Sequence, residues 1–456
     1  MKTRSSLLLV ALFLLLSTSA FTPPTPLRAA SPAQSGPIDP ELLGMVVRDP
    51  WYEFGTHPRF PGQPNYEALQ RTGQILEEAG VRWVRVEFIV RTGAGSFEEQ
   101  VARYDYFIDV VAPRHGLKVL ALLGFALVDI DPRDPATGLV AKTGTDPQYG
   151  GGVNSWMKTW LDRALFIAQR YEGRLAAYEI LNEQNRLPPV PPSGNHPGYR
   201  GGEGIDPVLT ARLHTKFYRC FKQNQCSNQA ADPSWRQAVQ VLIGGVHPRG
   251  SDILVSDREL KPNPPVSDRD YIIKLYGSEP FTSYFTANGA FPVDGLAYHP
   301  YPAEIALSLA AIDDEVLRID TRLDELRTRL RTALQATAPS AAEVPFWITE
   351  IGYNAGYPKQ NSVGQASFLK AAYLALAARD DVKTVFWFKY EDFPPATGPN
   401  AQQWGIVRIP FTESSACPGG ACYVPSGEPS ARRLAYFAYR ELAGLPVQRV
   451  ALPLVR

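Results

Sequence analysis

The sequence predicts an α/β chain closed as a (β/α)8 TIM barrel with long βα loops, on three observations. Short apolar, β-branched or aromatic runs recur about every 35 to 60 residues, separated by amphipathic stretches, the rhythm of parallel strands joined by crossover helices. Several runs are apolar at nearly every position, as in a sheet covered on both faces. The alternative, an open doubly wound sheet, would normally carry a glycine-rich phosphate loop after its first strand, and none follows Arg48. Gly198 to Gly204 is glycine-rich, but no strand precedes it, so it reads as a loop.

In chain order the strands are expected at Gly44 to Arg48, Trp83 to Phe88, Lys118 to Gly124, Ala177 to Asn182, Gln240 to Gly245, Gly295 to His299, Phe346 to Glu350 and Thr384 to Lys389. Helices are expected at Tyr66 to Ala79, Ser96 to His115, Ser155 to Tyr171, Pro207 to Cys220, Asp268 to Phe285, Ile312 to Ala336, Ser362 to Arg379 and Ser430 to Ala443. Ahead of them, Lys2 and Arg4 precede an apolar run from Leu7 to Leu16 and small residues at Ser17 to Ala20, the pattern of a secretory signal peptide over residues 1–20. Residues 21–40 are rich in Pro, Ala and Ser without an apolar period and read as a linker. One large domain then spans 41–456, with no membrane span in the mature protein, which is expected to be secreted to the exterior or the periplasm and to act as a monomer.

Lysine plus arginine number 46 against 46 aspartate plus glutamate, and no basic block occurs, so the electrostatic footprint of a nucleic-acid binder is missing. A neutral substrate fits this balance. Cys220 with Cys226 and Cys417 with Cys422 are close pairs, which in an exported chain form two local disulfides, each stabilising by roughly 2 kcal/mol at most. Their spacing is not that of a zinc motif.

Two glutamates close apolar strands far apart in the chain: Glu183 in Tyr178-Glu-Ile-Leu-Asn-Glu-Gln-Asn185, and Glu350 in Phe346-Trp-Ile-Thr-Glu-Ile-Gly-Tyr353. At the ends of strands four and seven, both face one barrel mouth from nearly opposite walls. A carboxyl pair in that setting cleaves glycosidic bonds, one member donating a proton to the leaving oxygen and the other attacking the anomeric carbon. The donor must be protonated at rest; a second carboxylate nearby raises its proton affinity until it is esterified, after which the donor serves as base. Taken singly, each glutamate also reads as a solvated loop residue. No Gly-x-Ser-x-Gly or His-Glu-x-x-His occurs to suggest an esterase or metallopeptidase.

Asn182 precedes Glu183, and if both are to reach a sugar the strand end must carry a bulge or sharp twist. His299 and Tyr301 lie two residues apart and share a face, where the phenol is expected to hydrogen-bond the nucleophile, a structural His-Tyr pair being the alternative. Arg85, inside the second strand, needs a partner, with Glu350 proposed and Glu87 as competitor. Trp387 in strand eight is expected to floor the mouth for a sugar face, an ordinary core tryptophan being the alternative. Trp51, Tyr52, Phe54, Trp156, Tyr353, Tyr390 and Phe393 are candidates to extend the cleft, and Ala126 to Asn154, Arg186 to Gly204, Pro248 to Val266 and Asp392 to Pro429 to wall it.

On Tyr178 to Asn185, Trp347-Ile-Thr-Glu-Ile-Gly352, Tyr298-His-Pro-Tyr301 and Trp387, the chain resembles the clan of retaining (β/α)8 glycoside hydrolases that includes cellulases, mannanases and β-xylosidases. The resemblance implies a secreted enzyme acting on a β-linked oligo- or polysaccharide without cofactor or metal. Glu183 would be acid/base, Glu350 nucleophile, and Arg85, Asn182, His299, Tyr301 and Trp387 the sugar-contacting shell. The chain departs from the pattern at Gln184, where proline is common, and at Leu122-Leu-Gly-Phe125, which lacks a polar residue. A catalytically silent carbohydrate-binding barrel and a transglycosylase are the alternatives.

Overall fold

The computed structural model describes residues 36–47, 65–185, 205–226, 234–248, 267–302, 308–358, 360–393, 401–408, 411–413, 421–423 and 431–447. All belong to the compact unit Ser35–Arg456. The expected signal peptide, Trp51, Tyr52, Phe54, Cys417, the Cys422 side chain and most of three of the four cleft-walling segments lie outside these residues.

Eight parallel strands close the barrel: β1 (Leu43–Val46), β2 (Trp83–Glu87), β3 (Lys118–Leu123), β4 (Ala177–Ile180), β5 (Gln240–Val246), β6 (Gly295–Tyr298), β7 (Phe346–Ile351) and β8 (Val382–Trp387). Each strand pairs with its chain neighbours, and β8 returns to β1 through Leu43 opposite Val385. The sequence reading of strands therefore differs from the fold in little more than their ends. Around the barrel run α1 (Tyr66–Ala79), α2 (Phe97–Ala102), α3 (Ser155–Arg170), α4 (Pro207–Gln223), α5 (Asp268–Tyr276), α6 (Glu279–Asn288), α7 (Ile312–Leu334), α8 (Ser362–Ala377) and α9 (Leu434–Leu442).

Two expected helices are divided and a third is shortened. Between Ser96 and His115 the chain forms α2, a π-helical turn over Tyr106–Val111 and a last turn at Ala112–Arg114. Pro113 has no N–H to give and its ring crowds the preceding turn, and the wider π turn just before it relieves that crowding. The Asp268 to Phe285 helix breaks at Gly277 and Ser278, where Pro280 starts a new first turn. The last helix begins only at Leu434, because Ala431–Arg432 pairs instead with Val407–Arg408.

The barrel interior is layered. At the bottom Glu41 accepts from Trp83 Nε1 at 3.0 Å and Lys118 Nζ at 2.8 Å. Above it Val46, Leu120, Ala177, Leu242, Ala297, Trp347 and Phe386 form a small apolar plug, with Trp83 edge-on to Trp347. The top layer is polar and is built by two β-bulges. Ile243 pairs with Leu296 and Val246 with Tyr298, so Gly244 and Gly245 together oppose Ala297. Ile348 pairs with Val385 and Ile351 with Trp387, so Thr349 and Glu350 together oppose Phe386. The extra residue in β7 lets Thr349 and Glu350 both turn their side chains inward, which strict alternation forbids.

Candidate active site

Glu179 and Arg85 enter the polar layer by simple strand alternation, two residues above Ala177 and Trp83 of the plug. Past β4 the backbone leaves extended geometry: Leu181 has φ 67° and Glu183 φ 47°. These left-handed residues turn the Asn182 and Glu183 side chains into the mouth in succession. The Glu183 N–H donates to Gly245 O at 2.7 Å, and Gln184 Nε2 donates to Gly244 O at 2.8 Å, so the turn is fastened to the β5 bulge. Left-handed geometry is costly for a leucine and a glutamate and persists where the surroundings enforce it, a pattern concentrated at functional sites.

Arg85 is 3% exposed and lies between two carboxylates. Its Nε donates to Glu179 Oε2 at 2.7 Å and its Nη1 to Glu350 Oε1 at 2.5 Å, while Nη2 reaches Glu179 Oε1 at 3.1 Å and Asn182 Oδ1 at 2.8 Å. Sequence reasoning anticipated Glu350 and missed Glu179; Glu87 acts on Arg85 through its charge from farther along the same strand. The missed signal was alternation itself, since Glu179 falls on the same face of β4 as Ala177.

Tyr301 OH donates to Glu350 Oε2 at 2.7 Å. His299 is fully buried, its Nδ1 lying 3.1 Å from Glu183 Oε1 and 3.7 Å from Glu350 Oε2, and its Nε2 3.0 Å from Thr349 Oγ1. Burial opposes charge on this imidazole, but the Glu350 charge, the Glu179 carboxylate 3.8 Å from Nε2 and the hydrogen bond to Glu183 outweigh it and raise its pKa to about 9. Burial likewise works against ionised Glu179, yet Arg85 and His299 hold it down to about 2. Glu179 Oε1 also accepts from Gly245 N at 2.9 Å and Thr349 Oγ1 at 3.1 Å.

Glu183, His299 and Glu350 each present one atom within 4.8 Å of the other two, close enough to share a metal ion. The Arg85 guanidinium already supplies positive charge to Glu350, and both Glu350 oxygens accept from protein donors, Oε1 from Arg85 and Oε2 from Tyr301. The donor set therefore suits proton and charge transfer better than metal binding.

Trp387 does not floor this mouth. Alternation turns it outward, fully buried, against Phe368 of α8 with ring centroids 6.3 Å apart, while Phe386 and Phe388 face inward. The aromatic wall is instead Phe388, 5.9 Å from Tyr301, and the half-buried Trp404, 5.8 Å from Tyr301 and 5.6 Å from Phe388. Of the other aromatic candidates, Trp156, Tyr353 and Tyr390 are buried packing residues, and Phe393 stands 5.9 Å from Phe388. Among the described cysteines, Cys220 and Cys226 are bonded, their Cα atoms 5.0 Å apart.

No protein-family model and no curated protein matches the sequence. Solved structures match in fold. A monomeric beta-xylosidase from Caulobacter crescentus CB15 is 15% identical with a TM-score of 0.50, over 89% of this chain and 69% of that one. The beta-glycosidase BGL167 is 11% identical with a TM-score of 0.51, over 91% of this chain and 99% of that one. A family 39 glycoside hydrolase from the gut symbiont Bacteroides cellulosilyticus WH2 is 14% identical with a TM-score of 0.48 over 90% of this chain, which spans 65% of its length. At these identities the likeness is one of fold.

Proposed function

We propose that this chain is a secreted retaining glycoside hydrolase that cleaves a β-linked glycan by double displacement. The observation that carries the reading is the carboxylate pair: Glu183 and Glu350 bring an oxygen each within 4.8 Å at the carboxyl-terminal mouth of the barrel. Retaining enzymes separate their two carboxyl groups by roughly 5 Å, whereas inverting enzymes leave room for a water and need more than about 6.5 Å. Fold likeness to glycosidases of known structure and the Cys220–Cys226 disulfide, usual in an oxidising compartment, support the same reading.

In the first step Glu350 attacks the anomeric carbon, an ester bond forms, and the glycosidic bond breaks with its electron pair going to the leaving oxygen. A proton from the Glu183 side neutralises that oxygen. Water then attacks the same carbon from the leaving-group face, gives its proton to Glu183, and frees Glu350. Arg85 and Tyr301 hold the Glu350 carboxylate in one orientation through a donor on each oxygen. Asn182 accepts from Arg85 through Oδ1, so its amide N–H groups serve as donors for a sugar hydroxyl. Phe388, Tyr301 and Trp404 offer the apolar surface on which a sugar C–H face packs.

Purified Glu350→Gln should fold as the parent and lose roughly three or more orders of magnitude in turnover of aryl β-glycosides, since the covalent step disappears. A 2-fluoro glycosyl inhibitor should become attached to Glu350 in the parent enzyme. Near-native turnover by the variant, or labelling at another residue, overturns the assignment.

A further inference from the structure

Thr349, beside the proposed nucleophile, has no part in the displacement written above, yet its hydroxyl sits inside the charged cluster. Glu179 is held ionised by Arg85 and can only accept hydrogen bonds, so the Thr349 O–H, 3.1 Å from Glu179 Oε1, must donate to it. With its proton committed, Thr349 Oγ1 is an acceptor toward His299 Nε2 at 3.0 Å, and that nitrogen must carry a hydrogen. The exchangeable proton of the imidazole then lies at Nδ1, facing Glu183 Oε1 at 3.1 Å.

We propose that Thr349 is a positioning residue that locks the His299 tautomer, so that His299 Nδ1 and Glu183 hold between them the single proton delivered to the leaving oxygen. This inference rests on the glycosidase reading for its use, but its tautomer claim stands alone. On bond cleavage the pair gives up its proton and is left as neutral imidazole and carboxylate. Once Glu350 is esterified, one of the negative charges facing Nδ1 is gone, and the pair takes back the proton released by the attacking water. The groups that face His299 and set its proton affinity are Glu183 after β4, Glu179 on β4, Glu350 on β7 and Tyr301 beyond β6, with Arg85 on β2 moderating both Glu179 and Glu350. Gly245 makes room for the ring, because a methyl there would lie 2.0 Å from Nε2.

The test is long-range 1H–15N correlation on the 15N-labelled protein across pH 5 to 10, with His299→Gln assigning the signal. Nε2 should stay protonated throughout while Nδ1 titrates; an Nε2 that loses its proton while Nδ1 keeps one overturns the proposal, whatever the protein's activity. In Thr349→Val the alkaline limb of kcat/KM should move down by about one pH unit, a tenfold loss of proton affinity, and Thr349→Ser should restore it. A parent-like profile in a folded Thr349→Val, or a fall in rate without a shift of the limb, also overturns it. A locked tautomer in a protein that turns over no glycoside would instead sink the glycosidase reading alone.

Discussion

A guanidinium sealed inside a barrel is costly without partners, and Arg85 has them in Glu179 and Glu350. The division between these two carboxylates is the chemical economy of the site. Glu179, 0% exposed and anchored by Arg85, Thr349 and the Gly245 amide, is fully committed to its partners, whereas Glu350 and Glu183, at 8% and 6%, reach the mouth. Replacing Glu183 by Gln should therefore separate substrates by leaving group. Glycosides with poor leaving groups should slow by roughly a thousandfold or more, and activated aryl glycosides far less, because protonation matters little for the latter. Equal losses on both would assign the acid to another residue. His299 supplies a stability signature independent of turnover. Its pKa is raised from 6.5 to about 9, so the stabilisation from its charged form is complete below pH 6.5 and is lost as pH rises through about 9. Urea unfolding should show stability falling by up to roughly 3 kcal/mol across that window. His299→Gln should flatten this slope whatever its absolute stability, and an unchanged slope would mean the imidazole is neutral in the folded protein.

At the level of elements, the site depends on two places where strands depart from regular geometry. The β5 bulge carries Gly244 and Gly245, and a methyl at 244 would lie 2.2 Å from the Leu181 carbonyl oxygen, a backbone atom that cannot move without undoing the Leu181 to Glu183 turn. Gly244→Ala should thus destabilise by about 2 kcal/mol or more and lower turnover, while Gly36→Ala, with open space around it, should change neither. Equal behaviour of the two variants would show that the turn tolerates a shift. The strands were readable in the sequence because apolar runs bounded by turn residues carry their own signal, and Glu183 and Glu350 because each closes such a run. Bulges carry no comparable signal. The Gly244-Gly245 pair hinted at one, but nothing in Ile348-Thr-Glu350 marks the extra residue of β7. Trp387 was misplaced for the related reason that the inward parity of β8 is set by its register with β7 and β1, and parity decides whether 387 or 388 meets the mouth. Trp404 was missed because it lies in a loop, where the sequence offers no period from which to infer direction.

The whole molecule separates chemistry from stability along the barrel axis. The strands' carboxyl ends hold the charged cluster and aromatic wall; the amino ends are closed by Glu41 and Lys118 below the apolar plug, whose Trp83 donates to Glu41. The Cys220–Cys226 disulfide belongs to the lower end, since α4 starts after β4 at the mouth and delivers Cys220 to the bottom, ahead of β5. A sequence separation of 6 closes a short loop, and the entropy removed from the unfolded chain stabilises by roughly 2 kcal/mol. With the proposed active site at the other end of the barrel, that stabilisation should be kinetically silent. The double variant Cys220→Ser with Cys226→Ser should unfold at lower urea, by about 2 kcal/mol, with kcat and KM for aryl glycosides unchanged within about twofold. A larger loss of turnover than of stability would mean that the lower end is coupled to the mouth. The connecting element would then be α4, which packs Phe217 and Phe221 against Tyr178 of β4, one residue before Glu179.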